Sequence, residues 1–487
     1  MARRTNAHVF VRHPARGGVY STMKRTPRPT RRDVLRFAWL TAGAAVLDVG
    51  CAASTAQGHS SEKRRDTLIL GAGMAGLAAA YELRRAGFDV TLLEARSRIG
   101  GRLWTDHSWG GIPIDLGGSW IHGTEGNPLT DLCKQFGIQT MAFDPSAPAI
   151  YSGSRRLNPA EREQVEHDLR RLEARVSDLG AEADPKMSAE QGIDLALREL
   201  NMSGTRARHA KEAMRADILQ DVAGDPHEVV LGSLEQAPDG GGEEAVFPGG
   251  YNQLTDRLAE GLDIHLGCVV TRVEHSDSGV RVVTNRGIFT ANRALVTFPL
   301  GVLQRGSITF APELPVRKQQ AIARLGMGVL DKVYLRFDRA FWDNADSIRQ
   351  IEAIDEAWSD WADMRPVTKA PVLLAFIGGA VARRIETMTD AAVVAGAMAS
   401  LRTMYGSRVP EPTANRITRW ASDPFACGSY SFEKVGSSAD DFHALAEPVG
   451  RRLLFAGEAT EAENYQTVHG ALMSGRREAQ RILAELT

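Results

Sequence analysis

Residues 66–102 read DTLILGAGMAGLAAAYELRRAGFDVTLLEARSRIGGR, and this stretch predicts the fold. Residues 67–70 form a short apolar run typical of a buried strand, and Gly71, Gly73 and Gly76 follow at the spacing that opens a helix. In this pattern the first glycine permits a tight turn, the second lets the backbone approach a pyrophosphate, and the third lets the helix pack closely on the strand. We therefore predict a strand–turn–helix unit that holds a dinucleotide phosphate at the helix N-terminus.

The segment after this helix supplies the acidic residue that such a unit needs. Residues 90–93 predict a second strand, and Glu94 follows it, eighteen residues past the last glycine of the motif. A carboxylate at that place accepts hydrogen bonds from ribose hydroxyls. Arg96, Gly101 and Arg102 come next and offer a further contact to a diphosphate. A glycine-rich turn is sometimes purely structural, but the strand, helix and acid together favour dinucleotide binding.

The C-terminal segment carries the most specific resemblance to a known family. Residues 454–460 read LFAGEAT and residues 465–475 read YQTVHGALMSG, which resembles the flavin motif of the flavin-containing monoamine and polyamine oxidases. The resemblance covers residues 66–487 and is closest to spermine and acetylpolyamine oxidases, while the catalytic domain of lysine-specific histone demethylases is also similar. It implies an α/β fold in which a Rossmann-like FAD-binding domain is interleaved with a substrate domain of mixed sheet plus helices.

The same resemblance implies a set of cofactor-binding residues. Val270 is expected to contact adenine through its backbone, and Glu458 to lie on the ribityl or phosphate side. Ser429 stands where monoamine oxidases have the cysteine that links covalently to flavin, so noncovalent FAD is expected. The predicted cofactor-binding residues are Gly71, Gly73, Gly76, Glu94, Arg96, Gly101, Arg102, Gly118, Val270, Glu458, Thr467 and Val468.

Four residues are predicted at the reacting amine. Lys332 lies in an alternating strand and taken alone would be solvated, but the resemblance implies that it hydrogen-bonds a water at flavin N5. His122 stands in the WIHG form of spermine oxidases, with a structural hydrogen-bonding role as the alternative. Tyr430, in the run WASDPFACGSYS, is expected to form an aromatic wall over the flavin. Thr467 replaces the second aromatic wall of monoamine oxidases and opens the cavity for a longer amine.

The resemblance also implies the reaction. A neutral amine would lose hydride to FAD, the imine would hydrolyse to aldehyde and amine, and dioxygen would reoxidise the flavin to give hydrogen peroxide. The sequence leaves open which amine is the substrate and which C–N bond is cleaved. Alternatives are an L-amino acid or monoamine oxidase of the same fold and, in another class, a flavin-binding protein without turnover.

Composition and charge bound the partners and the domains. The 487 residues contain 43% apolar residues and 47 glycines, enough for two cores. We expect an FAD-binding domain at 66–144, 245–310 and 421–487, and a substrate domain at 145–244 and 311–420. Residues 1–50 hold ten Lys or Arg and two Asp, a formal charge of +8, which leaves −10 of the total of −2 for the rest. This acidic body argues against nucleic acid and mildly favours a cationic small-molecule amine beside dioxygen.

Two further patterns bear on substrate and metal. Residues 352–363 interleave Glu352, Asp355, Glu356, Asp360 and Asp363 with Trp358 and Trp361. Such a segment would attract a polyamine toward an entrance, with a solvated helix face as the alternative. Four cysteines at scattered spacing predict neither a disulfide framework nor a metal site.

The N-terminal residues resemble an export signal. Residues 30–36 read TRRDVLR and precede an apolar segment at 37–47 that is too short to span a bilayer. We expect residues 1–56 to be a twin-arginine export leader of a periplasmic or secreted protein, with a disordered basic arm as the alternative. A start at Met23, a lipid anchor at Cys51 and cleavage after Ala56 stay open, as does the oligomeric state. The expected mature chain has no transmembrane segment.

Overall fold

A parallel sheet forms around the glycine motif. The computed structural model describes residues 65–143, 148–235, 241–353 and 355–485. The predicted export leader, residues 1–56, therefore lies outside the described residues. In the part that is described, no helix combines the length and the apolar character needed to cross a membrane.

The described residues contain the following helices and strands. The strands are β1 (Arg65–Leu70), β2 (Asp89–Leu93), β3 (Thr105–Asp106), β4 (Ile114–Asp115), β5 (Trp120–Ile121), β6 (Met141–Ala142), β7 (Pro148–Ser152), β8 (Arg155–Arg156), β9 (Ala245–Val246), β10 (Asp263–His265), β11 (Val270–Ser276), β12 (Gly279–Thr284), β13 (Gly287–Ala291), β14 (Arg293–Val296), β15 (Thr309–Ala311), β16 (Gly326–Met327), β17 (Leu330–Arg336), β18 (Ser347–Ile351), β19 (Asp360–Asp363), β20 (Val372–Gly378), β21 (Ala414–Ile417), β22 (Ser431–Phe432) and β23 (Leu453–Phe455). The helices are α1 (Met74–Arg85), α2 (Pro128–Phe136), α3 (Pro159–Gly180), α4 (Ala189–Glu199), α5 (Gly204–Val222), α6 (Asn252–Ala259), α7 (Leu300–Arg305), α8 (Val316–Arg324), α9 (Arg365–Thr368), α10 (Gly379–Glu386), α11 (Asp390–Tyr405), α12 (Ala439–Ala446) and α13 (Val468–Ala484).

The predicted Rossmann-like unit is present. A five-stranded sheet has the order β10–β2–β1–β14–β23, and its strands pair in parallel. Its central strand is buried on both faces, which explains the continuous apolar run at 67–70. Helices α1 and α13 lie so close together that a Cβ added to Gly475 would stand 2.2 Å from the Ala75 carbonyl oxygen. The first and last parts of the chain therefore build one layer.

A second sheet holds the other half of the molecule. Its seven strands have the order β21–β17–β20–β19–β18–β7–β8; β7 and β18 pair in parallel and the other neighbours pair antiparallel. This is the mixed sheet that was predicted. In β17, Val333 and Tyr334 are both at most 1% exposed, so the strand is buried on both faces. The solvated lysine face that simple alternation suggests is wrong, because the second face is covered by the segment around residues 115–119.

Helices α3, α4 and α5 follow one another and form a helical insertion between β8 and β9. Leu169, Leu172 and Val176 of α3 are buried in a core shared with α4 and α5. Helix α3 begins with a capping box in which Asn158 and Glu161 satisfy each other's backbone N–H groups. The described residues belong to one structural unit. The two predicted domains correspond to its two large sheets, and their boundaries stay predictions.

Candidate active site

The glycine turn leaves room for a ligand at the N-terminus of α1. Gly71 has φ +118° and donates its N–H to the Leu93 carbonyl oxygen at 2.9 Å, which closes the turn. Gly73 is the N-cap of α1, and a Cβ added there would meet only the Gly100 carbonyl oxygen, at 4.0 Å. A Cβ on Gly76 would lie 2.1 Å from the Gly71 carbonyl oxygen, so this glycine is required for packing. Gly71 and Gly76 thus have the turn and packing roles that the spacing predicts, and contact of Gly73 with a pyrophosphate stays a prediction.

Glu94 is buried next to this turn. Its Oε2 accepts the Ala72 N–H and its Oε1 accepts the Arg96 N–H, both at 2.8 Å. These bonds hold the glycine turn and the following segment together. A carboxylate oxygen accepts more than one hydrogen bond, so Glu94 retains capacity for a ribose hydroxyl. Val270 begins β11 close by, since the Cys268 N–H donates to the Glu94 carbonyl oxygen at 2.8 Å.

The two predicted arginines make ion pairs within the protein. Arg96 forms a bidentate pair with Asp423, at 2.7 and 2.8 Å. Arg102 donates from Nη1 to Glu458 Oε1 at 2.8 Å and to the Ser429 carbonyl oxygen at 2.9 Å. Sequence reasoning did not identify Asp423 as a partner. Direct contact of either guanidinium with a diphosphate stays a prediction.

Glu458 joins several segments of the chain. It is 4% exposed, and its Oε2 accepts the Ser431 N–H at 3.3 Å, the Ser431 hydroxyl at 2.6 Å and the Gln466 N–H at 2.9 Å. Gln466 has φ +59°, and its side-chain Oε1 is buried without a hydrogen-bond partner among the described residues. Since a buried acceptor normally has a donor, the polar edge of a bound group fits here.

The N-terminus of α13 meets the glycine loop at residues 115–119. Thr467 is the N-cap; its hydroxyl accepts the Gly470 N–H at 2.9 Å and donates to the Asn464 carbonyl oxygen at 2.8 Å. A Cβ added to Gly118 would stand 3.1 Å from Val468 Cγ2, so the Val468 side chain packs directly on this glycine. The Thr467 side chain is therefore short and folded back on its own helix. Its contact with an amine stays a prediction.

Lys332 lies beneath the same loop. It is 5% exposed, and its Nζ donates to the Gly117 carbonyl oxygen at 2.6 Å, to the Asp115 carbonyl oxygen at 3.1 Å and to the Ser119 hydroxyl. Burial lowers the pKa of Lys332 to about 8, against the opposing charge of the Asp115 carboxylate. The structure thus places the predicted catalytic lysine beneath the glycine loop that carries Gly118, a predicted cofactor-binding residue. A water between Lys332 and flavin N5 stays a prediction.

Two aromatic side chains donate hydrogen bonds to backbone carbonyl oxygens near the site. The Tyr430 hydroxyl donates to the Gln220 carbonyl oxygen at 2.7 Å, near the C-terminal end of α5, and burial raises its pKa. Trp420 is buried, and its Nε1–H donates to the Leu116 carbonyl oxygen at 3.2 Å. Tyr430 therefore links the helical insertion to the site, and Trp420 supports the glycine loop.

His122 lies at a more exposed position than the other predicted catalytic residues. Its side chain is 58% exposed, and its Nδ1 is 2.8 Å from Glu244 Oε2, while Glu244 Oε1 accepts the Gly123 N–H at 3.1 Å. His469 lies close enough to His122 to be affected by its charge. Burial and the charge of His122 lower the pKa of His469 to about 4. Sequence reasoning missed Glu244 and His469. The only available signal was the position of His469 inside the C-terminal motif.

A small pocket lies at the carboxyl ends of β14 and β23. Its lining includes Arg102, Pro299, Gly457 and Glu458. Ligands of doubly wound sheets bind beyond the carboxyl ends of the parallel strands. Together with the open approach at Gly73, this arrangement fits FAD.

The acidic segment at residues 352–363 is only partly exposed. Trp358 and Trp361 are 2% and 1% exposed and belong to the core, so the solvated helix face is wrong, while attraction of a polyamine by the acids stays a prediction. Four of the five acids pair with arginines: Glu352 with Arg208, Asp355 with Arg384, Asp360 with Arg349, and Asp363 with Arg365. Packing of the second sheet buries the tryptophans, Asp360 and Asp363, which sequence pattern alone did not reveal.

The comparisons with known proteins agree with this geometry. The family described as flavin-containing amine oxidoreductase matches residues 74–483. Lysine-specific histone demethylase 1 homolog 2 of Oryza sativa subsp. japonica is 36% identical over 433 residues, which covers 85% of this chain and 56% of the relative. Lysine-specific histone demethylase 2 of Homo sapiens is 33% identical over 447 residues, covering 86% and 53%.

A third relative, lysine-specific histone demethylase 1 homolog 3 of Arabidopsis thaliana, is 34% identical, with 86% of this chain and 30% of the relative covered. The chain thus spans between about a third and a little over half of the length of these relatives. Among solved structures, a putrescine oxidase variant with redesigned cofactor binding has a TM-score of 0.72 at 25% identity, covering 87% of this chain and 99% of that one. Wild-type putrescine oxidase bound to putrescine has a TM-score of 0.71 at 23% identity, covering 86% and 99%, which shows a shared fold.

Proposed function

This chain belongs to the family of flavin-containing amine oxidoreductases, and from that premise we propose that it oxidises polyamines with dioxygen as electron acceptor. Its cofactor is FAD, and it is an FAD-dependent amine oxidoreductase. The glycine turn at residues 71–76, Glu94 and Gln466 would hold FAD, which would supply hydride acceptance from the carbon beside the amine nitrogen and return of the electrons to dioxygen as hydrogen peroxide. The imine then hydrolyses to aldehyde and amine.

The observation that carries the proposal is the short side chain at the N-terminus of α13. The Thr467 hydroxyl is used for capping, so no aromatic ring stands at the place where monoamine oxidases are expected to have one. This supports a cavity long enough for an extended amine. Glu244, beside the half-exposed His122, adds a carboxylate suited to a second cationic nitrogen.

The other residues prepare the amine for oxidation. Tyr430 is held in place by its bond to the Gln220 carbonyl oxygen, so its ring needs little ordering when the substrate binds. An aromatic wall also desolvates the amine and favours the neutral form that loses hydride. Lys332 remains mostly protonated at neutral pH, since burial lowers its pKa only to about 8, and its ammonium group holds the glycine loop through Asp115, Gly117 and Ser119.

The L-amino acid oxidase alternative requires an arginine for the substrate carboxylate. The arginines of the helical insertion are engaged elsewhere or exposed. Ion pairs join Arg162 to Glu166, Arg170 to Glu163, Arg175 to Glu199, Arg206 to Asp168, Arg208 to Glu352, and Arg215 to Glu190. Arg171 and Arg198 are exposed. This supports an amine without a carboxylate as the substrate.

Peroxide release tests the proposal directly. Purified holoenzyme would be given spermine, spermidine, putrescine, benzylamine, an L-amino acid and a methyl-lysine peptide under the same conditions. We expect the highest kcat/KM with a polyamine, and a flavin-free preparation serves as the control. A higher kcat/KM with the amino acid or the peptide would contradict polyamine oxidation and leave the amine oxidoreductase assignment intact.

We also propose export by the twin-arginine route, on the basis of residues 30–47. The receptor of that route reads the arginine pair itself, so Arg31→Lys together with Arg32→Lys should leave the protein in the cytoplasm. Cell fractionation of the double variant measures this. Unchanged export would contradict the proposal.

A further inference from the structure

A buried carboxyl group lies directly beside the predicted catalytic lysine. Asp331 is 1% exposed and precedes Lys332 in β17, so its side chain leaves the strand on the opposite face. Its Oδ1 accepts the Thr418 hydroxyl at 2.8 Å and the Trp420 N–H at 3.0 Å. Its Oδ2 is buried and has no hydrogen-bond partner among the residues that the structure describes.

A second carboxyl group holds the same loop from the other side. Glu386 ends α10 and accepts the Ala421 N–H at 2.6 Å, the Ser422 N–H at 2.7 Å and the Ser422 hydroxyl. The two carboxyl groups lie close enough that the charge of Glu386 helps to raise the pKa of Asp331. Asp331 and Glu386 thus bind neighbouring residues of the loop at 418–422.

This loop reaches the active site at two points. The Thr418 hydroxyl accepts the Lys332 N–H at 2.7 Å, and the Thr418 N–H donates to the Lys332 carbonyl oxygen at 3.0 Å. Trp420 donates to Leu116 in the glycine loop, whose carbonyl oxygens also bind Lys332 Nζ. The positions of Lys332 and of the glycine loop at residues 115–119 therefore both depend on residues 418–422.

We propose that Asp331 and Glu386 share one proton, and that this protonated pair is a positioning element that holds Lys332 and Trp420 against the glycine loop at residues 115–119. Asp331 is buried and its Oδ2 lacks a donor, so ionising it beside the half-buried Glu386 carboxylate carries a large electrostatic cost. The nearby cation does not relieve it: Arg419 donates to the Glu386 and Met388 backbone carbonyl oxygens and pairs with Asp390.

The pair also predicts how stability changes with pH. Burial and the charge of Glu386 raise the pKa of Asp331 to about 8. An acid whose pKa is raised on folding contributes stability that is complete below its unfolded pKa, near 4, and is lost as the pH rises through about 8. Loss of the shared proton should loosen the loop at 418–422. The role given to Lys332 rests on the proposed function, whereas the shared proton does not.

The test uses holoenzyme without any amine, so it does not depend on substrate. Flavin absorbance and Tm would be followed from pH 6 to pH 10. In the wild type we expect one absorbance midpoint near pH 8 and a fall in Tm of a few degrees across it. Asp331→Asn is isosteric and removes the buried acid, so this variant should lose the midpoint and the fall in Tm. Glu386→Gln removes only the neighbouring charge, so its midpoint should move to lower pH.

Lys332 titrates in the same range, so Lys332→Met is the necessary control. The midpoint should persist in Lys332→Met if the carboxyl pair is its source. A midpoint that disappears in Lys332→Met and remains in both Asp331→Asn and Glu386→Gln would overturn the proposal. Because neither measurement involves turnover, that outcome would leave the proposed amine oxidation untouched.

Discussion

Arg102 donates to Glu458 at 2.8 Å, and this ion pair joins two motifs that are 356 residues apart in the chain. The N-terminal motif closes the phosphate-binding turn, and the C-terminal motif begins the helix that faces the glycine loop. Their contact lies at the carboxyl ends of the parallel strands, where Arg102 and Glu458 line the small pocket. The cofactor region is therefore assembled from both ends of the described chain.

The first prediction concerns this ion pair. Glu458→Gln removes the charge that pairs with Arg102 while keeping nearly the same shape. Since a buried ion pair that loses one partner leaves the other charge uncompensated, the Kd for FAD should rise about tenfold, corresponding to about 1.4 kcal/mol. Titration of apoprotein with FAD, followed by flavin fluorescence, measures the Kd. The exposed Glu463 offers a matched control, and an equal effect of Glu463→Gln would contradict the prediction.

The second prediction is that FAD is bound noncovalently. Ser429 supplies no thiolate for a cysteinyl linkage, and its hydroxyl is engaged with Leu330, whose N–H it accepts at 2.8 Å and whose carbonyl oxygen it donates to at 3.0 Å. Acid precipitation should therefore leave the yellow colour in the supernatant. Flavin that stays with the denatured pellet would show a covalent bond.

The third prediction concerns Lys332. Lys332→Met keeps the length of the side chain but removes the donors to Gly117 and Ser119. The variant should still bind FAD and should slow flavin reduction, flavin reoxidation or both by about tenfold or more. Stopped-flow absorbance measures the two half-reactions separately. Lys369→Met, at an exposed position, is the control, and unchanged rates in Lys332→Met would assign the lysine a structural role.

The fourth prediction concerns acid sensitivity. Burial lowers the pKa of His469 from 6.5 to about 4, so the folded protein favours the neutral ring. This contribution to stability is present above pH 6.5 and is lost as the pH falls toward 4. The Tm of the wild type should fall in that range by a few degrees more than the Tm of His469→Gln. His443→Gln, at an exposed position, should behave like the wild type; a parallel fall in both variants and the wild type would exclude His469 as the cause.

Patterns that depend on neighbouring residues were predictable. The glycine turn at residues 71–76 and the buried apolar face of α3, formed by Leu169, Leu172 and Val176, follow from the sequence pattern, since turn geometry and helix periodicity are local properties. The exposure of the segment at residues 352–363 was misjudged, because a local pattern does not show which distant segments cover it. Its alternating acids and tryptophans resemble a surface, but arginines from distant segments, such as Arg208 and Arg384, neutralise the acids.

The sequence by itself determined the dinucleotide-binding unit, because glycines at a fixed spacing impose one turn and one close approach on the backbone, and the resemblance of residues 454–475 to a known motif indicated the family. Only the tertiary structure decided which charges are paired and which are buried. Lys332 and Asp331 are adjacent in the chain, yet one binds the glycine loop and the other lies close to Glu386. Their environments differ because a strand directs successive side chains to opposite faces, and what covers each face depends on segments far away in sequence.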